Sequence, residues 1–159
     1  MPKVVCFTGH RTVPPQDYAA LNEQLHACVE DCIAKGATTF RTGGALGFDT
    51  MAALCVLQAR QKHPHVRLEL ILPYPEQADM WSASDAILYR QILEQADAHR
   101  FVSSKYYAGV LQLRNRALVE GADLCVAYLC SSHGGGAAYT AAYALKRGLE
   151  LINLQDLLS

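Results

Sequence analysis

Short apolar runs of strand length alternate along this chain with longer segments of helical periodicity, and no linker, internal repeat or low-complexity stretch breaks the series. Such an alternation restricts the chain to α/β architectures, because right-handed crossovers place helices over both faces of a parallel sheet. The expected strands lie near 3–8, 38–42, 67–72, 99–102, 123–129 and 150–153. The most continuous apolar runs, Val4 to Phe7 and Leu124 to Leu129, suit strands buried on both faces. Between the first two strands, Tyr18, Leu21, Leu25, Cys28, Val29, Cys32 and Ile33 trace a helical stripe that stops at Lys35-Gly36. Further helices are expected over 50–62, 84–95, 110–120 and 137–147. The fold class that follows is α/β: a Rossmann-like, doubly wound, mostly parallel sheet with helices on both faces, in a single domain.

Composition supports one folded core. The chain has 159 residues, 51% hydrophobic and 18% charged, enough to close one interior without cross-links. A net charge of -1 provides no global basic field, so nucleic acid or anionic lipid would need a local patch. The N-terminal apolar run stops at Thr8-Gly9-His10-Arg11, too short for a signal peptide or a membrane span; a cytoplasmic protein with no membrane partner is expected. Of six cysteines, Cys6, Cys55, Cys125 and Cys130 sit in apolar runs and read as small buried hydrophobes. Cys28 and Cys32, with His26 nearby, lack a second ligand pair at zinc-site spacing, so no metal site is expected.

In doubly wound sheets ligands bind beyond the carboxyl ends of the strands, and three loops there are rich in glycine. The first is Thr8-Gly9-His10-Arg11, where the arginine offers a planar fork for phosphate oxygens. The second contains Gly43, Gly44, Gly47 and Asp49 and runs into a helix, whose backbone N–H groups can meet an anion. The third contains Gly134, Gly135 and Gly136 and again opens a helix, with Thr140 in its first turns. Any one loop can be a plain turn, but three on one sheet edge point to a nucleotide or related phosphate ligand. No GxxxxGK[ST] or GxGxxG occurs, which disfavours P-loop hydrolysis and dinucleotide-dependent redox chemistry, and no cofactor is evident.

Several residues carry two readings. Asp49 either caps the following helix or accepts a ribose hydroxyl. Arg114, Asn115 and Arg116 lie on one helix, where arginines are usually solvated. His10 has the acidity of a general base but no identifiable carboxylate partner. Tyr74, Trp81, Tyr106 and Tyr107 can stack on a base or serve the core.

The ordered motifs TGHR, GGALGFD, LPYPEQADMW, RNRALVEGAD and GGGAAYTAAYALKRG resemble the YpsA-like branch of the SLOG superfamily across nearly the whole chain. That superfamily includes DprA and the LOG-type phosphoribohydrolases. The resemblance implies binding of a nucleotide or nucleotide derivative, ADP-ribose-like in class, through Gly9, Arg11, Gly43, Gly44, Gly47, Asp49 and the Gly134 to Gly136 loop, and Arg114 is similar in place to the arginine of LOG-type enzymes; Thr8, His10, Asn115 and Thr140, beside these residues in sequence, are further candidate ligand contacts. It also implies a homo-oligomer as a common state. LOG-type enzymes carry PGGxGTxxE with a catalytic glutamate, whereas this loop reads HGGGAAYTAAY and has no Glu or Asp from His133 through Lys146. The leading expectation is therefore nucleotide binding or sensing. The alternatives are N-glycosidic hydrolysis with Asp49 and Arg114 as candidate catalytic residues, and a single-stranded DNA module using Lys105, Arg114, Arg116 and the tyrosines.

Overall fold

The computed structural model describes residues 2–130 and 135–158. The six expected strands form one sheet: β1 (Val4–Gly9), β2 (Thr39–Thr42), β3 (Arg67–Leu72), β4 (Ala98–Phe101), β5 (Leu124–Tyr128) and β6 (Glu150–Asn153). Every neighbouring pair is parallel, in the order β4-β3-β2-β1-β5-β6. The helices between them are α1 (Pro15–Ala34), α2 (Phe48–Lys62), α3 (Ala83–Gln95), α4 (Val110–Val119) and α5 (Gly136–Lys146), followed after β6 by a 3-10 turn at Leu154–Leu157.

The continuous apolar runs mark the middle of the sheet. Val5, Cys6, Phe7 and all of Leu124 to Tyr128 are buried, and β1 pairs with β5 from Val5↔Leu124 to Gly9↔Tyr128. From β1 the chain winds outward through β2, β3 and β4, then returns to add β5 and β6 on the other side. The direction of winding reverses between β1 and β5, which opens a crevice at their carboxyl ends. Helices α1, α2 and α3 pack side by side, and α4 packs on α5. The larger core is built on Phe7, Phe40, Phe48 and Tyr128, whose rings stack or meet edge-on at 5.9 to 6.3 Å, while Cys6, Ile71, Leu118 and Cys125 belong to the smaller one.

Polar side chains fix the strand ends. Asp123 accepts hydrogen bonds from the Lys3 and Val4 amides at 3.0 and 2.9 Å, tying the start of β1 to β5. The Asn153 side chain both donates to and accepts from the Leu129 backbone at 3.1 Å, prolonging the β5–β6 ladder by one residue.

Element boundaries follow the expectations with instructive departures. Tyr18 is exposed, because α1 begins at the carboxyl edge of the sheet and its first turn borders a cleft there instead of the core. Helix α2 begins at Phe48, two residues ahead of the expected start, and the Gly47 at its N-cap offers no side-chain cap. The Phe48 amide instead donates to the His10 carbonyl at 3.1 Å, a contact between two loops that local sequence does not announce. Strand β4 ends at Phe101, although the Val102 amide still donates to Leu72 at 2.9 Å.

Candidate functional site

The crevice at the strand reversal is a cleft of about 250 Å³. The end of β1 supplies Thr8, Gly9, His10 and Arg11; the loop after β2 supplies Ala45 and Asp49; α4 supplies Arg114 and Asn115; and the start of α5 supplies Gly136 and Ala137. A second cleft of about 330 Å³ adjoins it on the β2–β3 side, between α2 and α3. The two share Arg11, Ala45 and Asp49 as a common wall.

That wall is held from behind by two buried, oppositely charged side chains. Asp49 is only 7% exposed and Arg114 5%. The Asp49 carboxylate accepts from the Ala45 amide at 3.2 Å, and the Thr50 hydroxyl donates to the Ala45 carbonyl at 3.1 Å, so the first turn of α2 grips its own entry loop. Arg114 donates through Nη1 to the Gly43 carbonyl and through Nε to Asn115 Oδ1 at 2.9 Å. A Cβ at Gly43 would lie 2.9 Å from Arg114 Nη1 and 3.1 Å from Asp49 Oδ2, so only glycine lets both groups close on the loop. Asn115 passes the connection on, its Nδ2 reaching the Gly136 carbonyl at 3.5 Å.

Burial pushes the Asp49 carboxyl up to about 6, against the pull of the Arg114 guanidinium, the Ala45 and Gly43 amides and Arg11. Burial also lowers Arg114, which the Asp49 charge offsets. The folded chain thus holds the Asp49 proton more tightly than the unfolded chain, whose carboxyl has the ordinary value of 3.8. The stability this group contributes is complete below 3.8 and is lost as pH rises through 6, a span of about 3 kcal/mol at most. Denaturant unfolding between pH 4 and 7 should show this falling component in the parent chain and not in Asp49→Asn. Parallel pH profiles for the two would contradict the burial of an ionisable Asp49.

Among the other expected site residues, His10 Nε2 accepts the Cys130 amide at 2.9 Å, and its ring meets Tyr128 edge-on at 5.7 Å. With Nε2 engaged as an acceptor, that nitrogen serves to join the ends of β1 and β5 and not to take a proton from a substrate. Gly44 and Gly47 line the larger cleft. Gly135 is the N-cap of α5 and, having no side chain, itself offers no cap to the first amides of that helix. Thr140 lies one turn further on, lines neither cleft, and donates to the Gly136 carbonyl at 2.8 Å. Gly134 falls outside the described residues. Arg116 points away from both clefts and donates to the Tyr139 hydroxyl at 2.8 Å.

The aromatics divide. Trp81 lines the larger cleft against Tyr89, with ring centroids 5.3 Å apart. Tyr106 and Tyr107 are 63% and 43% exposed, and Tyr74 meets Tyr106 edge-on. Sequence reasoning missed Tyr89 and Thr42, which stand in the larger cleft. Thr42, at the end of β2 beside the glycine loop, was the one of the two whose position gave a signal.

A family model described as the YspA SLOG family matches residues 7–154. A UPF0398 protein of Halalkalibacterium halodurans is 32% identical over 130 residues, which cover 80% of this chain and 67% of the relative. The SPbeta prophage-derived protein YoqJ of Bacillus subtilis is 30% identical over 128 residues, covering 72% of this chain and 75% of the relative. The fold is similar to that of DNA processing protein A from Helicobacter pylori, described with a single-stranded DNA binding mode, at a TM-score of 0.64 and 18% identity. That match covers 94% of this chain, which spans 64% of the Helicobacter chain.

Proposed function

The chain belongs to the YspA SLOG family, and on that premise we propose that its strand-reversal crevice binds the phosphate-bearing part of a nucleotide or nucleotide derivative, ADP-ribose-like in class. The observation that carries this reading is the convergence of Arg11, the start of α5 at Gly136 and Ala137, and the end of β1 at Thr8 and Gly9 on one cleft. Backbone amides at a helix start and a guanidinium fork are both anion-binding groups. Binding, not glycosidic cleavage, suits Asp49 better, since its carboxylate braces the Ala45 loop against Arg114. On this reading the protein is a ligand sensor.

A second reading, contact with single-stranded DNA, is favoured by exposed Tyr106 and Tyr107 beside Lys105 and by the likeness to DNA processing protein A. Thermal unfolding against AMP, ADP-ribose, ribose 5-phosphate and a short oligonucleotide, at two salt concentrations, separates the readings. A phosphate ligand at a hundred times its dissociation constant adds about 2.7 kcal/mol and raises Tm by roughly 5 to 10 °C. Arg11→Ala should remove most of that shift while leaving the ligand-free Tm within about 1 °C, because Arg11 is exposed. A shift produced by the oligonucleotide alone and suppressed by salt would favour the DNA reading. No shift with any of the four compounds would overturn both.

A further inference from the structure

The larger cleft differs chemically from the crevice beside it. Its walls are Met51 and Leu54 from α2, Leu88 and Tyr89 from α3, and Trp81 from the turn before α3, with Thr42 at the end of β2. Two hydroxyls in this lining are buried without a hydrogen bond. Thr42 Oγ1 has no partner and its residue is wholly buried; the Tyr89 hydroxyl, with Gln77 as its neighbour, makes no bond of good geometry. Gln77 itself donates from Nε2 to the Gly44 carbonyl at 3.3 Å. A buried hydroxyl left unpaired is costly, and two that line one cleft mark a place where a polar edge is to be met. The volume of about 330 Å³ falls at the small end of ligand pockets, roughly 300 to 1,000 Å³.

We infer that the larger cleft receives the heteroaromatic base of the same ligand whose phosphate occupies the crevice. This rests on the nucleotide reading above. A flat ring carrying both donors and acceptors matches an aromatic and aliphatic wall with two hydroxyls, each able to donate or accept. The sugar then lies across the shared residues Arg11, Ala45 and Asp49. Neither an aliphatic chain nor a second phosphate suits this cleft: the first would leave both hydroxyls unpaired, and the second would meet Asp49 and Asp85 on its lining.

Trp81 is the single tryptophan of the chain and stands in this cleft, so its fluorescence reads occupancy directly. Titration with AMP, adenosine and ribose 5-phosphate should show a Trp81 emission change with AMP and adenosine and none with ribose 5-phosphate. AMP should bind at least about tenfold more tightly than ribose 5-phosphate by calorimetry. Thr42→Val and Tyr89→Phe, which remove the hydroxyls at nearly constant shape, should each weaken AMP by about tenfold and leave ribose 5-phosphate within about twofold. They should leave the ligand-free Tm unchanged or higher, which distinguishes lost recognition from lost folding. Equal affinities for AMP and ribose 5-phosphate with a silent Trp81 would overturn the base assignment alone. Failure of both phosphates to bind would overturn the nucleotide reading beneath it and this inference with it.

Discussion

Replacing Arg114 by methionine is expected to lower the stability of the ligand-free chain by about 3 to 5 kcal/mol at pH 7, since it strands a buried carboxylate. In a domain of this size that corresponds to a fall in Tm of roughly 10 °C. The loss has two sources: the Gly43 carbonyl is left without its donor, and the buried Asp49 carboxyl loses the guanidinium that most favours its charged form. Without Arg114 the Asp49 carboxyl rises above its present value of about 6, so acidification neutralises it and returns part of the loss. Urea unfolding at pH 5 and pH 7 should therefore show a smaller deficit at pH 5. Adding Asp49→Asn to Arg114→Met should recover part of the deficit at pH 7. An Arg114→Met chain as stable as the parent would mean that Arg114 does not sustain the buried Asp49 charge.

The second large effect is expected at Gly47. Its φ of +76° lies in the left-handed region, and a Cβ there would overlap the Arg11 carbonyl oxygen and sit 2.7 Å from that of His10. Both obstacles are backbone, so no side-chain rotation relieves them. Gly47→Ala should separate the loop after β1 from the start of α2, break the Phe48 to His10 hydrogen bond and misplace Arg11. We expect a loss of about 2 to 4 kcal/mol from strain and displaced contacts, and more than a hundredfold loss of AMP affinity. Gly148→Ala is the control: its φ is +87° but open space surrounds the added carbon, so it should cost only about 1 kcal/mol and leave binding intact. Equal behaviour of the two variants would show that loop contact at Gly47 is not what positions the site.

These two positions also explain what the sequence made legible. The sheet was readable because β1 and β5 are continuous apolar runs, and only central parallel strands require that pattern. The glycine loops were readable because glycine is costly unless geometry requires it. Arg114 was not readable as a buried group. An arginine on an amphipathic helix ordinarily faces water, and its partner Gly43 lies 71 residues earlier. The role of Asp49 was ambiguous for a related reason. Aspartate at a helix start usually caps through its own side chain, whereas here the preceding loop is closed by His10 and by the amide of Ala45. Thr42 and Tyr89 were invisible as a pair because they come from different elements and meet only once α3 has packed beside α2.

The central claim, that the crevice between β1 and β5 binds a phosphate-bearing ligand, is tested most directly by following backbone amide resonances of the isotopically labelled chain during titration with AMP. Saturable shifts concentrated at Gly9, His10, Arg11, Gly136 and Ala137 are expected, with the same titration silent in Gly47→Ala. Shifts absent from these amides, or scattered over the surface around Tyr106 and Tyr107, would contradict it.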